Sequence, residues 1–411
     1  MAIEVGIGLS TDHELATAVE EAIEAALGTC AQPKIAMMFV THSYPLDQLS
    51  DALEAARRRL PVGVRLAGGT VNGITYGDER HDAMFANRRA IAVVAFGGDV
   101  VAGAAIVGDP SDDAVGAGKR LAEAARRGSG GRSDGGALIL TPGMSAFKSL
   151  DQQLLDGIRS LDPRLRLTGT GLTAGLTPDG RILPGCAFLD GRIEVGGAVL
   201  VTFAGPLRMG FSSANGMAAV GRGGFVTAAE GPVIHTIDNR PARDAILDLL
   251  CGDDRESREQ FTNNAFIAAV ERGVTLGALD PEGGHYWCHM PVGFLPDGSA
   301  LDPFVARKGT PLSVVRIDPA TCMNAVHEAG TMLVEDAGTD TFELTLAFSC
   351  ALRGYTLGAD VAHEDVGLRT MVSSKQHLGI VANGEVGCYR HGRSLATGWV
   401  YALFGLARQD G

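Results

Sequence analysis

The sequence predicts a mixed α/β fold: mixed sheets with covering helices, built from internally repeated helix, strand, helix, strand units and β-meanders, in two domains. Three observations predict it. Glycine is abundant, with 56 in 411 residues against an ordinary share of roughly 7%, and it sits beside Val, Ile and Leu runs. Segments of helical apolar spacing alternate with short apolar strands. One arrangement of the two recurs along the chain.

In the first copy, Glu14 to Leu27 has helical spacing, Lys34 to Val40 is an apolar strand, Leu46 to Leu60 is again helical, and Val64 to Gly73 reads VRLAGGTVNG. In the second, Gly118 to Arg127 is a helix, Ala137 to Leu140 a strand, Phe147 to Leu161 a helix, and Leu165 to Gly175 reads LRLTGTGLTAG. Both closing strands carry Arg-Leu, one residue, then Gly. A looser third copy runs from the helix Thr321 to Val334 through the strand Phe342 to Cys350 to His377–Gly387, HLGIVANGEVG. Met84 to Val107 and Gly180 to Gly210 read as β-meanders after the first two copies.

A domain boundary is expected near Asp238 to Pro241, between the strand-like Val233 to Ile237 and a helix from about Ala242. Asp238-Asn239 supplies a turn there and Pro241 suits a first helical position. The domains then span 1–238 and 239–411. Gly128 to Gly136 is a flexible connection; without a Gly-Lys-Ser/Thr ending it is no phosphate loop.

Hydrophobic residues make up 45% and charged residues 20%, the balance of a globular chain. The net charge of −13, without a dense Lys/Arg block, argues against nucleic-acid partners. Met1 to Ser10 lacks the pattern of a secretory signal, and no apolar stretch nears the roughly 20 residues that cross a bilayer. The seven scattered cysteines include no CxxC pair and read as reduced thiols. The expectation is a cytoplasmic protein without a membrane partner. Glycine-rich strand edges are suited to pairing between chains, so a homodimer is open.

With these elements in order, the chain resembles the FIST superfamily of paired N- and C-terminal sensory domains. On the N-terminal side the resemblance rests on Ile35 to Val40, Arg65 to Gly73, and Phe225 to Ala242 with Val233, Ile234, Ile237, Asp238, Arg240 and Pro241. On the C-terminal side it rests on Pro291 to Asp318, Phe348-Ser349-Cys350 with Arg353, and Gly379 to Gly387 with Gly384-Glu385. The resemblance implies sensing of small ligands, amino acids among them, and signalling to a partner. Some members are described as haem-binding nitric oxide sensors, and F-box members as recognising protein clients. No kinase, cyclase or methyl-accepting segment is attached here, so output is expected through a separate protein.

Arg353 sits where a buried strand gives way to a loop, an edge where ligands commonly bind. Its guanidinium is suited to hold a ligand carboxylate bidentately, or to pair with Glu385 or another acid. Glu385, aimed by the bend at Asn383-Gly384, is suited to a ligand ammonium, or to a surface turn. Cys350 is either a nucleophile, given a partner that lowers its pKa, or a buried structural thiol. Gly69, Thr70, Asn72 and Thr170 lie on glycine-rich strands whose N–H groups are placed to approach a ligand, or whose glycines allow close packing.

The run His285-Tyr286-Trp287-Cys288-His289 is the densest set of metal-ligand types. As a strand it places its histidines about 13 Å apart, too far to share one metal. No metal and no cofactor are therefore expected from the residues themselves. The haem alternative rests on the resemblance, with His42, His235, His285, His289 and His391 unranked.

The expected function is a sensory protein binding a small metabolite, such as an amino acid or other carboxylate. The alternatives are a haem-based gas sensor, an enzyme using Cys350, Arg353 and Glu385, and a protein-docking module.

Overall fold

The computed structural model describes residues 3–132, 135–144, 150–177, 182–280, 284–389 and 392–409. The fold is mixed α/β. Three six-stranded sheets follow one plan, each built mainly from one stretch of chain.

The first sheet runs, in spatial order, Ile3–Ser10, Ile91–Gly98, Pro33–Thr41, Arg65–Val71, and then a hairpin, Cys186–Leu189 with Arg192–Val195. The second runs Val101–Val107, Ala198–Ala204, Gly136–Thr141, Arg166–Gly171, and the hairpin Glu385–Cys388 with Ser394–Thr397. The third runs Leu207–Ala214, Tyr401–Arg408, Thr341–Cys350, Ser373–Ala382, and the hairpin Gly73–Tyr76 with Glu79–Asp82. Each unit thus completes a neighbour's sheet. Unit two gives its hairpin to the first sheet, unit three to the second and unit one to the third, which closes a ring.

Within each sheet the central strand pairs in parallel with the glycine-bearing strand. A parallel pair needs a crossover. The crossovers are Leu49–Arg59, Asp151–Leu161, and the helical stretch beginning at Ala351–Leu357 and ending at His363–Arg369. A second helix precedes each central strand: Leu15–Leu27, Ala114–Gly128 and Pro319–Ala337. In Leu15–Leu27 the buried residues Leu15, Ala18, Val19, Ala22, Ile23 and Ala26 recur at the spacing of one helix face.

These helices cover the outer sheet faces, and the inner faces share one core. Phe96, Phe203 and Phe404, one from each sheet, meet there, with centroids 5.0 Å apart for the first two and 5.8 Å for the last two. Burial on both faces explains why the central strands read as continuous apolar runs.

The glycines of the closing strands have a steric cause. A Cβ on Gly68 would lie 2.0 Å from the Met38 carbonyl oxygen, and one on Gly169 would lie 1.8 Å from that of Ile139.

Between Leu207–Ala214 and Pro319–Ala337 the third unit carries an insert. It holds the eight-stranded sheet and the helices Ala242–Cys251, Arg255–Asn263 and Ala265–Arg272. The turn at Asp238-Asn239, where the sequence places a change of domain, joins Val233–Ile237 to Arg240–Pro241 inside this sheet. Both residues adopt positive φ, 50° and 60°, as such a tight connection requires. Among the described residues no helix is long and apolar enough to cross a membrane.

Candidate functional site

The glycine-bearing strands converge. Gly68, Gly169 and Gly379 hold the same register against their central strands, opposite Met38, Ile139 and Ala347. Four residues beyond them stand Asn72, Thr173 and Asn383, all buried. The Asn72 Nδ2–H donates to Asn383 Oδ1 at 2.8 Å, and the Asn383 Nδ2–H donates to Thr173 Oγ1 at 3.0 Å. A polar chain thus links the three units where their strands meet.

Beyond Asn383 the backbone turns at Gly384, with φ of 82°, which favours glycine. The Gly384 carbonyl accepts the Gly171 N–H at 2.7 Å. This turn delivers Glu385, which pairs with Thr170 on one side and Thr397 on the other.

Glu385 faces a narrow cavity to which all three units and the insert contribute. Unit three supplies Cys350, Asn383 and Glu385, and unit two supplies Met144, Asp151 and Ile182. Met84 comes from unit one, and Phe266 and Phe304 come from the insert. The space open to water is about 40 Å³, above the roughly 10–15 Å³ that a cavity needs to hold a water.

Glu385 is 1% exposed, and neither carboxyl oxygen makes a hydrogen bond of ordinary geometry. The Cys350 thiol and the Val400 N–H lie close enough to favour its charged form. Burial pushes the carboxyl well above the usual range, against the opposing effects of Cys350 and the Arg353 charge. Burial therefore favours the protonated form of this carboxyl.

Cys350 ends its strand beside Glu385. Burial, reinforced by that carboxyl, pushes its thiol well above the ordinary value, so it is not an activated nucleophile. Asp151 opens its helix and is 4% exposed, and the Thr141 hydroxyl donates to Oδ2 at 2.8 Å. Burial raises Asp151 to about 6, opposed by hydrogen bonds from Thr141 and the Gly143 backbone. The cavity thus holds two buried acids, both raised by burial.

Of the residues singled out in the sequence, Cys350, Asn383, Gly384 and Glu385 come together here, and Asn72 stands one hydrogen bond behind Asn383. Arg353 does not. It is fully buried, and its Nε donates to Glu364 Oε1 at 2.6 Å, its Nη2 to the Cys322 carbonyl at 2.8 Å and its Nη1 to the Trp399 carbonyl at 3.2 Å. The guanidinium stacks 5.5 Å from the Tyr401 ring centroid. This corrects the expectation of a carboxylate clamp between Arg353 and Glu385: Arg353 is spent on the interior, with Glu364 as its acid.

The strand residues are packed. The Thr70 hydroxyl accepts the Cys186 N–H at 2.9 Å, the Thr170 hydroxyl approaches the Gly384 carbonyl at 3.4 Å, and a Cβ on Gly69 would meet Leu172 at 2.4 Å. Sequence reasoning missed Asp151, because an acid in the first turn of a helix is ordinary capping chemistry. It also missed Phe266 and Phe304, whose part depends on how the insert folds over unit three.

Haem does not fit this cavity. No described histidine lines it, and its free space is far below the size of a macrocycle. His289 is held by Asp302 at 2.7 Å, His235 meets Ser299 at 3.0 Å, and His285 packs on Tyr389. His391 lies outside the described residues. Tyr286–His289 forms the strand expected of that run.

Interlocked sheets around a largely apolar recess bearing two buried acids define a mixed α/β protein with a narrow internal site. The FIST N domain family model matches residues 34–240, half of the chain, and the chain belongs to the FIST family, whose domains are sensory domains of signal transduction. No curated relative matches it. Among solved structures it is similar to cyanuric acid hydrolase from A. caulinodans, at 10% identity over 100% of both chains with a TM-score of 0.41. It is also similar to PurLQS from Thermotoga maritima, at 10% identity over 99% of this chain and 73% of that one with a TM-score of 0.24. Scores this low carry nothing from those proteins to this one.

Proposed function

We propose that this FIST protein receives a small polar metabolite in the cavity faced by Glu385 and passes its occupancy to a separate signalling partner. The observation that carries the reading is the Glu385 carboxyl, buried at 1% exposure without a hydrogen bond of ordinary geometry. A group left so is costly to folding unless something else completes it. A ligand does so, and it would touch all three units and the insert at once.

The reading favours contact through ligand N–H groups over a carboxylate anchor, because Arg353 is committed to Glu364. An enzymatic reading through Cys350 gains no support from a thiol held protonated by burial.

The test is a thermal-shift and calorimetric screen of amines, amides, amino acids and small carboxylates. A ligand at a hundred times its Kd adds about 2.7 kcal/mol of stability. Ala396→Phe, which fills the cavity, is expected to abolish the shift. A panel without a single hit, or a hit indifferent to Ala396→Phe, overturns the reading.

A further inference from the structure

A second recess lies at the edge of the first sheet. Thr11 and His13, which follow the strand Ile3–Ser10, line it together with Asn87, Arg88 and Arg89, which lead into Ile91–Gly98. His81 completes the lining from the hairpin that unit one gives to the third sheet. The space open to water is about 420 Å³, against 40 Å³ in the cavity faced by Glu385, and the two linings share no residue. Loops that follow the carboxyl ends of strands are a common seat of ligands in α/β proteins.

The sign of the charge is reversed here. The chain carries a net charge of −13, yet among the described residues no carboxylate pairs with Arg88 or Arg89. Their hydrogen bonds go to carbonyl oxygens instead: Arg88 Nη1 donates to that of Arg80 at 3.3 Å, and Arg89 donates through Nε to that of Ser43 at 3.2 Å and through Nη1 to that of His13 at 3.1 Å. The Arg89 guanidinium also lies 5.6 Å from the Tyr44 ring centroid. Carbonyl partners fix a guanidinium in place without cancelling its charge, and Arg keeps further donors for a ligand. Burial holds His81 below its usual value, so the arginines give the recess its charge.

We propose that this recess takes the dianionic phosphoryl group of a small phosphate monoester, held by Arg88 and Arg89. Guanidinium forks meet phosphate oxygens bidentately. Two fixed positive charges match a dianion, whereas a carboxylate or a phosphodiester leaves one of them unmet. Thr11 and Asn87 add a hydroxyl and an amide for the remaining oxygen, and the recess is large enough for the organic part of the ester. Acids stand close by: Asp12, Glu21 and Glu79 line a neighbouring recess that shares Thr11, and the Glu79 carboxylate, 76% exposed, meets His81 Nε2 at 3.3 Å. They oppose an extended polyanion such as a nucleic-acid backbone and leave room for one phosphoryl group at the arginines.

The test uses methyl phosphate, dimethyl phosphate and acetate, titrated calorimetrically at constant ionic strength and about pH 8, where only the monoester is a dianion. Methyl phosphate is expected to bind at least about tenfold tighter than the other two. Arg88→Gln and Arg89→Gln are each expected to weaken it at least about tenfold, the loss of a charged hydrogen-bond donor. Arg120→Gln, which removes an exposed arginine of unit two paired with Asp113, is expected to leave the affinity unchanged. Should Arg89→Gln not fold, Arg88→Gln decides, since Arg88 is exposed.

Methyl phosphate without saturable binding overturns the site. So does binding that Arg88→Gln leaves intact, or that Arg120→Gln weakens as much, which would mark a diffuse response to charge. Acetate or dimethyl phosphate binding as tightly as methyl phosphate overturns the ligand class.

Discussion

Asn72 and Asn383, 311 positions apart in the chain, share a buried hydrogen bond of 2.8 Å at the meeting point of the three units. Asn383 also donates to Thr173 at 3.0 Å, so one side-chain amide ties unit three to both others. Asn383→Leu loses both bonds and strands two polar partners. It is expected to lower the unfolding free energy by about 2–4 kcal/mol, measured by urea denaturation. Ligand binding should weaken as well, since Gly384 and Glu385 follow directly. A variant as stable as the parent would show that this polar chain holds nothing.

Arg353 is expected to behave as an interior residue. Arg353→Ala leaves the buried Glu364 without its charge partner, at a cost of about 3–5 kcal/mol. The double variant Arg353→Met with Glu364→Met should recover most of that loss, because no unpaired charge remains. Denaturation curves of the two single variants and the double give the coupling directly. Independent, additive losses would contradict the pairing.

Asp151 makes stability depend on pH. Its carboxyl, about 6 in the folded chain against an ordinary 3.8, holds its proton more tightly folded than unfolded. The folded state therefore binds more protons between these values, and stability falls as pH rises from about 4 to 6. Asp151→Asn cannot ionise. It is expected to gain up to about 3 kcal/mol near pH 7.5 and almost nothing near pH 3.5. Melting temperatures at the two pH values check the sign, and a gain confined to acid would refute it.

Gly68 tests the strand contact. Gly68→Ala would place a methyl 2.0 Å from the Met38 carbonyl and 2.5 Å from the Phe188 ring. Backbone on the parallel neighbour cannot yield as a side chain does. A loss of about 3 kcal/mol or more is expected, at the upper end of overpacking costs, seen as a lowered denaturation midpoint. An unchanged midpoint would show that the strands separate without cost.

Much of the framework was legible because each central strand is buried on both faces and each covering helix on one. Pro33–Thr41 and Leu15–Leu27 therefore show their periods undiluted. The hairpin exchange was not, since Gly73–Tyr76 reads like any short strand and nothing local names a partner some 300 residues away. Asp238-Asn239 followed by Pro241 is turn chemistry that serves a hairpin as well as a boundary. At the site, Cys350, Asn383, Gly384 and Glu385 were legible because they stand at the ends of neighbouring strands. Arg353 drew notice for its charge. That Glu364, on the crossover that follows, neutralises it depends on how the helical stretch 351–369 folds back, which periodicity does not reveal.

The exchanged hairpins bear on synthesis. Gly73–Tyr76 leaves the ribosome early, yet its partner strand, Ser373–Ala382, emerges only after most of the chain has been translated. Until then one edge of unit one has no place to dock, and the second sheet likewise waits for Glu385–Cys388. The nascent chain thus carries unpaired strand edges for nearly the whole of translation, a state that invites self-association. Interruption of translation before the third unit would leave a product that chaperones and proteases must handle.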